Sequence, residues 1–366
     1  MNFEAIYYNF LLFWVLMFPF MIVPNYRNNQ VVSVPSPQWG LFFIFVAAYC
    51  MANIPIFIGS WSDRGAYGSS FLEIASLGYH FDGFHGETFF GLYTWIVSWF
   101  SSDYHVWFYV TALIYVGNYY FAANRMTREY SFVLFLSMLC CFQFFAYGQN
   151  TIRAGFAGSL VILGLSFCNK PKLMCLLFFF TIFCHKSMLI PVGSLFIAYS
   201  LHNKTKWFLA FWFLCIIVSF AGGSGFTGFL SQFIEGRRSI YFTVDAAHSA
   251  YRIGFRWDFL FYSAIPVALG YYFQYVRDFK SEFYQWVYNA YLIANAFWVL
   301  VIRAEYTDRF AYLSWFLFPI LLMYPLLSKQ LFQNVARQRS MIIYVLWGQF
   351  AFTYYMFLAY NGFKSF

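Results

Sequence analysis

The sequence predicts an all-α protein, a polytopic transmembrane helix bundle of about twelve membrane helices. Three observations predict it. Only 10% of the 366 residues are charged and 62% are hydrophobic, whereas a soluble domain carries about 25% charged residues, so most of this chain meets lipid or other apolar helices. The apolar residues gather into runs close to the roughly 20 residues that a spanning helix needs. The basic residues fall in the short segments between those runs, where topology signals act.

Taken in order, the runs are 3–24, 38–59, 104–123, 131–147, 153–169, 207–221, 257–276, 284–302, 310–327 and 341–360. The first lacks a basic leader and a small-residue cleavage site, so it is expected to stay as a span and not to be removed as a signal. Segment 88–101 is short and rich in Trp and Tyr, which predicts a helix lying at the interface. Segment 173–201 is interrupted by His185 and Lys186 and followed by Pro191. It predicts two short helices that turn at His185. The larger outer loop, 222–256, opens on Gly222, Gly223 and Gly225. Glycine permits movement there, so the loop reads as a lid or as a plain connector. The chain reads as a single transmembrane domain over 1–366.

Arg27, Arg125, Arg128, Lys170, Lys172, Lys204, Lys206, Arg277, Lys280, Lys329, Arg337 and Arg339 fall on one side. The positive-inside rule makes that side cytoplasmic and puts both termini outside. The outer face then receives 60–103, 148–153, the His185 turn, 222–256 and 303–309. It carries Arg64, Arg153, Arg237, Arg238, Arg252, Arg256, Arg303 and Arg309, with lysine only at Lys186 and Lys364. Topology has no need of Arg over Lys, but bidentate phosphate recognition does. The formal net charge of +8 is divided among short loops. It fits anionic lipid or phosphate partners and not a nucleic acid. The seven cysteines lie almost wholly in apolar runs without metal-ligand spacing and read as small buried hydrophobes. No nucleotide-binding, dinucleotide-binding or zinc motif is present, so no cofactor and no metal is expected.

Five constellations carry candidate chemistry. Gln149-Asn150-Thr151-Ile152-Arg153 leads into small residues, Ala154, Gly155, Ala157 and Gly158. Small residues allow close helix packing, so Arg153 is expected to face protein and not lipid, where an ionisable group is a functional candidate. Cys184-His185-Lys186-Ser187 places a histidine, with an ordinary pKa near 6.5, at a membrane turn where it could act as a base. Tyr251-Arg252-Ile253-Gly254-Phe255-Arg256-Trp257-Asp258 carries two arginines four apart, which a helix would put on one face as an anion clamp. Alternatively, Asp258 neutralises them in a structural ion pair. Arg303-Ala304-Glu305-Tyr306-Thr307-Asp308-Arg309 packs four charges between two apolar runs. Asp63-Arg64-Gly65-Ala66-Tyr67, with Glu87 beyond it, supplies carboxylates on the same face, while Glu73 and Asp82 read as plain loop charges.

Asp63, Tyr67, Glu87, Asp103 and Tyr104, then Asn150, Arg153, His185 and Ser187 in that order and spacing, resemble the EpsG/Wzy-type polysaccharide polymerases. Arg309-Phe310-Ala311 resembles a later element of the same family. The chain departs from the pattern at Ala154, where glutamine is usual. The resemblance implies a bacterial inner-membrane, multi-pass glycosyltransferase with its active site facing the periplasm. It would polymerise O-antigen, capsule or exopolysaccharide repeat units carried on undecaprenyl diphosphate. Its implied partners are lipid-linked oligosaccharide donor and acceptor, membrane lipids and a chain-length regulator protein. That chemistry needs a base for the acceptor hydroxyl, for which Asp63 and His185 are both candidates, and cations for the diphosphate: Arg153, Arg256 and Arg309 first, then Arg252 and Arg303. Arg64, Tyr67, Glu87, Asn150, Trp257, Asp258, Glu305, Tyr306 and Asp308 are expected to contact substrate. An O-antigen ligase and a flippase or transporter for lipid-linked sugars are the alternative readings. The outer arginines are expected to converge on one outward-opening cavity.

Overall fold

The computed structural model describes residues 2–36, 38–56, 63–81, 87–222 and 254–362. Most of the 222–256 loop, with Arg237, Arg238, Tyr251 and Arg252, lies outside the described residues, as do Asp82 and Lys364. The described chain is mostly helical: α1 (Phe3–Met21), α2 (Trp39–Ala52), α3 (Asp63–Leu77), α4 (Thr88–Ser98), α5 (Tyr104–Met126), α6 (Ser131–Leu139), α7 (Phe144–Gln149), α8 (Ile152–Leu165), α9 (Pro171–Cys184), α10 (Leu189–Ser200), α11 (Thr205–Ala221), α12 (Trp257–Tyr271), α13 (Glu282–Leu300), α14 (Thr307–Trp315), α15 (Phe318–Ser328) and α16 (Val335–Gly362). Four stretches among the described residues are long and apolar enough to cross a membrane: Phe3–Met21, His202–Ala221, Thr307–Ser328 and Val335–Ala359. Shorter apolar helices accompany them. The expected break at His185 is present: α9 ends at Cys184, a single 3₁₀ turn covers Lys186–Met188, and α10 follows.

Three features differ from the sequence expectation. First, the run 3–24 stops at Met21, and Ile22–Asn25 pairs antiparallel with Gln30–Ser33 in a small hairpin. Arg339 of α16 donates to the carbonyls of Pro19 and Ile22 at 2.6 and 2.7 Å, taking up acceptors that the end of α1 leaves open. Second, α3 is a helix where a loop was expected. Its buried residues Arg64, Gly65, Gly68 and Phe71 follow helical spacing, but glycine gives no hydropathy signal. Third, the run 131–147 is two helices, α6 and α7, separated at Gln143, whose φ of 73° is left-handed. Irregular backbone in apolar surroundings survives only where protein satisfies it. Three side chains do so: Tyr7 donates to Leu139 O at 2.8 Å, Thr353 to Cys140 O at 2.9 Å and Tyr115 to Phe144 O at 3.0 Å.

The chain divides into two compact units, Met1–Met188 with Met323–Phe366, and Leu189–Leu322. In the first, α5 packs on α2, α6 and α8, α8 packs on α9, and α4 packs on α3 and α9. In the second, α13 is central and packs on α10, α11, α12 and α14. Asn295 of α13 is fully buried. It accepts from Trp212 Nε1 at 2.8 Å and donates to Ser263 Oγ and Ser314 Oγ at 3.2 and 3.0 Å. Trp315 Nε1 donates to the same Ser263 at 2.7 Å. One amide thus links helices α11, α12, α13 and α14.

Asn295→Leu is expected to lower the thermal midpoint of detergent-solubilised protein, because it orphans the Trp212 N–H at a cost of about 1–3 kcal/mol. Asn295→Gln, which keeps donor and acceptor, is expected to lose less by the same melting measurement.

Candidate functional site

The predicted site residues divide between the units. In the first unit, α3 begins at Asp63, and Tyr67 lies about one turn later. Glu87 stands immediately before α4, where its carbonyl accepts from Phe90 and Gly91 N–H. Arg153 sits in the first turn of α8, and His185 follows the last residue of α9. Four separated segments thus deliver four side chains to one place. Arg153 NH1 forms a short ion pair with Glu87 Oε2, and its Nε donates to Tyr67 Oη at 3.2 Å. The same guanidinium lies 5.2 Å from the Tyr67 ring centre. His185 Nε2 stands 3.9 Å from Glu87 Oε1, and its Nδ1 lies 2.5 Å from Ser187 Oγ. Asp63 adds negative potential at Tyr67 and Arg153. Burial raises the Tyr67 phenol above its ordinary pKa against the pull of Arg153, so it stays neutral at physiological pH.

The close approach of α7 and α8 sets Arg153 in position. A Cβ on Gly155 would lie 2.2 Å from the carbonyl oxygen of Tyr147, so only glycine permits this spacing. Asn150 closes α7, its N–H donating to Ala146 O.

Arg64 stands apart from this cluster. It is 4% exposed. Its NH1 donates to Gln149 O at 2.6 Å and its NH2 to Ala52 O at 2.7 Å. Those are the last residues of α7 and α2, where a cation also meets the negative end of the helix dipole. Phe108 lies beneath the guanidinium at 4.0 Å. Burial lowers the Arg64 pKa to about 9, which leaves it cationic at neutral pH.

In the second unit, Arg256 is the residue just before α12. It pairs with Asp258 through two bonds, Nε to Oδ1 at 2.9 Å and NH2 to Oδ2 at 2.7 Å, and lies 3.6 Å over Phe259. The intrachain pair weighed for Asp258 is therefore formed with Arg256. Arg303 lies 5.3 Å from the Phe255 ring, and its Nε is buried without a hydrogen-bond partner. Arg309 lies 4.7 Å from Tyr306, whose left-handed φ of 52° starts α14. Asp308 is within electrostatic reach of Arg309 and Arg256. Glu305 is half-buried in the same turn, and Trp257 is 58% exposed. Sequence reasoning missed the rings under Arg64, Arg256 and Arg303, as well as Ser187 as the partner of His185. It also missed an apolar cavity of about 710 Å³ between α11 and α12, since a groove leaves no local signal in either helix. Among the described residues, no three His, Cys, Asp or Glu side chains gather at one point.

Long apolar helices, accompanied by shorter ones that carry ion pairs and guanidinium groups among aromatic rings, define a helical membrane protein. A model of the EpsG family matches residues 39–365, and the chain belongs to that family. Among curated proteins and among solved structures, none matches the chain. Membership suggests a polysaccharide polymerase.

Arg64→Leu is expected to destabilise the protein in a thermal melt, because it orphans the buried Ala52 carbonyl at about 1–3 kcal/mol and the part-buried Gln149 carbonyl at less. Arg64→Lys should recover part of the loss. Gly155→Ala should also lower the melting midpoint, by about 1–3 kcal/mol from overpacking.

Proposed function

We propose that this protein is a membrane glycosyltransferase that polymerises oligosaccharide repeat units carried on undecaprenyl diphosphate, at the outer face of a bacterial inner membrane. The observation that carries this reading is the Tyr67–Glu87–Arg153–His185 cluster, which joins a carboxylate, a guanidinium and an imidazole from four segments. Family membership supplies the class of product.

The geometry supports the following roles. A hydroxyl placed at an ordinary hydrogen-bond distance of roughly 2.8 Å from His185 Nε2 donates its single proton there, and Glu87 Oε1 stands 3.9 Å from that nitrogen. His185 takes the proton of that acceptor hydroxyl, and Glu87 stabilises the imidazolium that results. This contact favours His185 over Asp63 as the base, with Asp63 contributing negative potential behind Tyr67. The acceptor oxygen bonds to the anomeric carbon of the donor while the bond from that carbon to the diphosphate oxygen breaks. The electron pair leaves on the diphosphate. Guanidinium groups stabilise that growing charge: Arg153 stands in this cluster, and the sequence proposes Arg256, Arg303 and Arg309 for the same role. Arg252 is proposed with them on sequence grounds alone. Arg64 serves as a strut between helix ends, because backbone carbonyls take both of its terminal nitrogens. Tyr67, Trp257 and Tyr306 are proposed to offer their rings to sugars. Asn150, Asp258, Glu305 and Asp308 complete the polar surroundings, and a chain-length regulator protein is a proposed partner.

The test is polymerisation of purified lipid-linked repeat units by protein reconstituted in liposomes, read as a product ladder on a gel. His185→Ala is expected to cut the rate by about 10²- to 10⁴-fold, the usual worth of a positioned base. Arg153→Lys should lose most activity, because lysine lacks the planar fork. Activity should persist in EDTA, because guanidinium groups supply the positive charge. Wild-type protein that joins no repeat units would refute the reading. Full activity in Arg153→Lys would remove Arg153 from the diphosphate.

A further inference from the structure

The second unit holds an apolar groove of whose lining the chemistry above uses only Trp257. Helices α11 and α12 line it with Leu209, Phe213 and Ile216 on one side and Trp257, Phe261 and Tyr271 on the other. Its volume, about 710 Å³, falls in the range of about 300–1,000 Å³ seen for small-molecule sites. Phe213, Phe261 and Tyr271 are 56%, 71% and 49% exposed, so the groove opens sideways from the unit.

One end of the groove is polar. Trp257 packs at a tilt against Phe255 with ring centres 4.5 Å apart, and the Arg303 guanidinium lies 5.3 Å from that same Phe255 ring. Arg256 immediately precedes Trp257. Arg303 Nε is buried and has no hydrogen-bond partner among the described residues, which is a costly state for a charged donor. The groove therefore begins beside two guanidinium groups, one with a donor to spare, and runs into purely apolar surroundings. Its ligand should have one anionic end and one long apolar end.

Length decides which lipid fits. Along α12 the groove runs from Trp257 to Tyr271, about 21 Å at 1.5 Å per residue. A phospholipid acyl chain serves one leaflet, about half of a 30 Å hydrocarbon core. The groove outruns such a chain, whereas a polyprenyl tail is long enough to fill it.

We propose that the α11–α12 groove binds the polyprenyl tail of a polyprenyl diphosphate, whose phosphates meet Arg303 and Arg256 at its mouth. This deepens the function proposed above and rests on it for the choice of diphosphate lipid. Ala264 and Val267 also line the groove, so a bulky residue at either position fills it from within.

The experiment uses full-length protein in nanodiscs and a sugar-free polyprenyl diphosphate that carries a photoreactive group along its tail. Photolabelling followed by peptide mapping should place the crosslink on α11 and α12. Ala264→Trp and Val267→Trp are each expected to lower labelling about tenfold, equivalent to about 1.4 kcal/mol. Unlabelled polyprenyl diphosphate should compete, and phosphatidylglycerol at the same concentration should not. Labelling confined to other helices in the wild type overturns the proposal, and that result does not depend on how either variant folds. Equal competition by phosphatidylglycerol overturns it too, by making the groove a general lipid site. Because the probe has no sugar, labelling is independent of polymerisation. Crosslinks in the groove with no product ladder would keep the groove and refute the polymerase, and the reverse result would do the opposite.

Discussion

Backbone carbonyls freed in apolar surroundings must find donors, and much of this structure is arranged to supply them. Arginine does so repeatedly. Arg64 serves the ends of α2 and α7, Arg125 reaches Ser166 O just after α8, and Arg339 takes two carbonyls at the end of α1. Where the chain breaks between α6 and α7, the hydroxyls of Tyr7, Thr353 and Tyr115 do the same work. Short helices are affordable here because each freed end is met by a specific side chain.

That economy separates two kinds of arginine. The first kind spends its donors on backbone and holds helices in place. The second keeps company with carboxylates and aromatic rings, as Arg153 does with Glu87 and Tyr67 and Arg256 with Asp258 and Phe259. The two kinds are physically linked, because Arg64 and Tyr67 share the start of α3. The residue that ties down two helix ends also fixes the ring beneath Arg153. A guanidinium flanked by a ring is partly desolvated and keeps its charge, a condition suited to meeting an anion.

The membrane class, the family and the turn at His185 were legible in the sequence, since composition, ordered motifs and the interruption of an apolar run by His185 and Lys186 are local signals. The small residues behind Arg153 pointed to contact with protein, which it makes with Glu87 and Tyr67, although 40% of its side chain stays exposed. The helix α3 was not legible, because its buried face is built largely from Arg64, Gly65 and Gly68, which score as polar or neutral. The break at Gln143 was hidden inside an uninterrupted apolar run, and the partners that make it tolerable come from α1, α5 and α16. The meeting of Glu87, Arg153 and His185 depends on how α4, α8 and α9 pack. Spacing along the chain could name these residues but not assemble them. Nor could spacing show that Arg64, expected to contact substrate, has both terminal nitrogens on backbone carbonyls.

The break between α6 and α7 has a consequence for how the protein is made. Each fragment is too short to be recognised alone as a span by the insertion machinery, so the two must enter the bilayer together or with neighbours already present. Tyr7 is synthesised first and can wait for Leu139. Thr353, which donates to Cys140 O, lies 213 residues further along the chain. Until Thr353 is made, that carbonyl depends on water or on a temporary partner, so the first unit can reach its final form only after the ribosome has delivered α16.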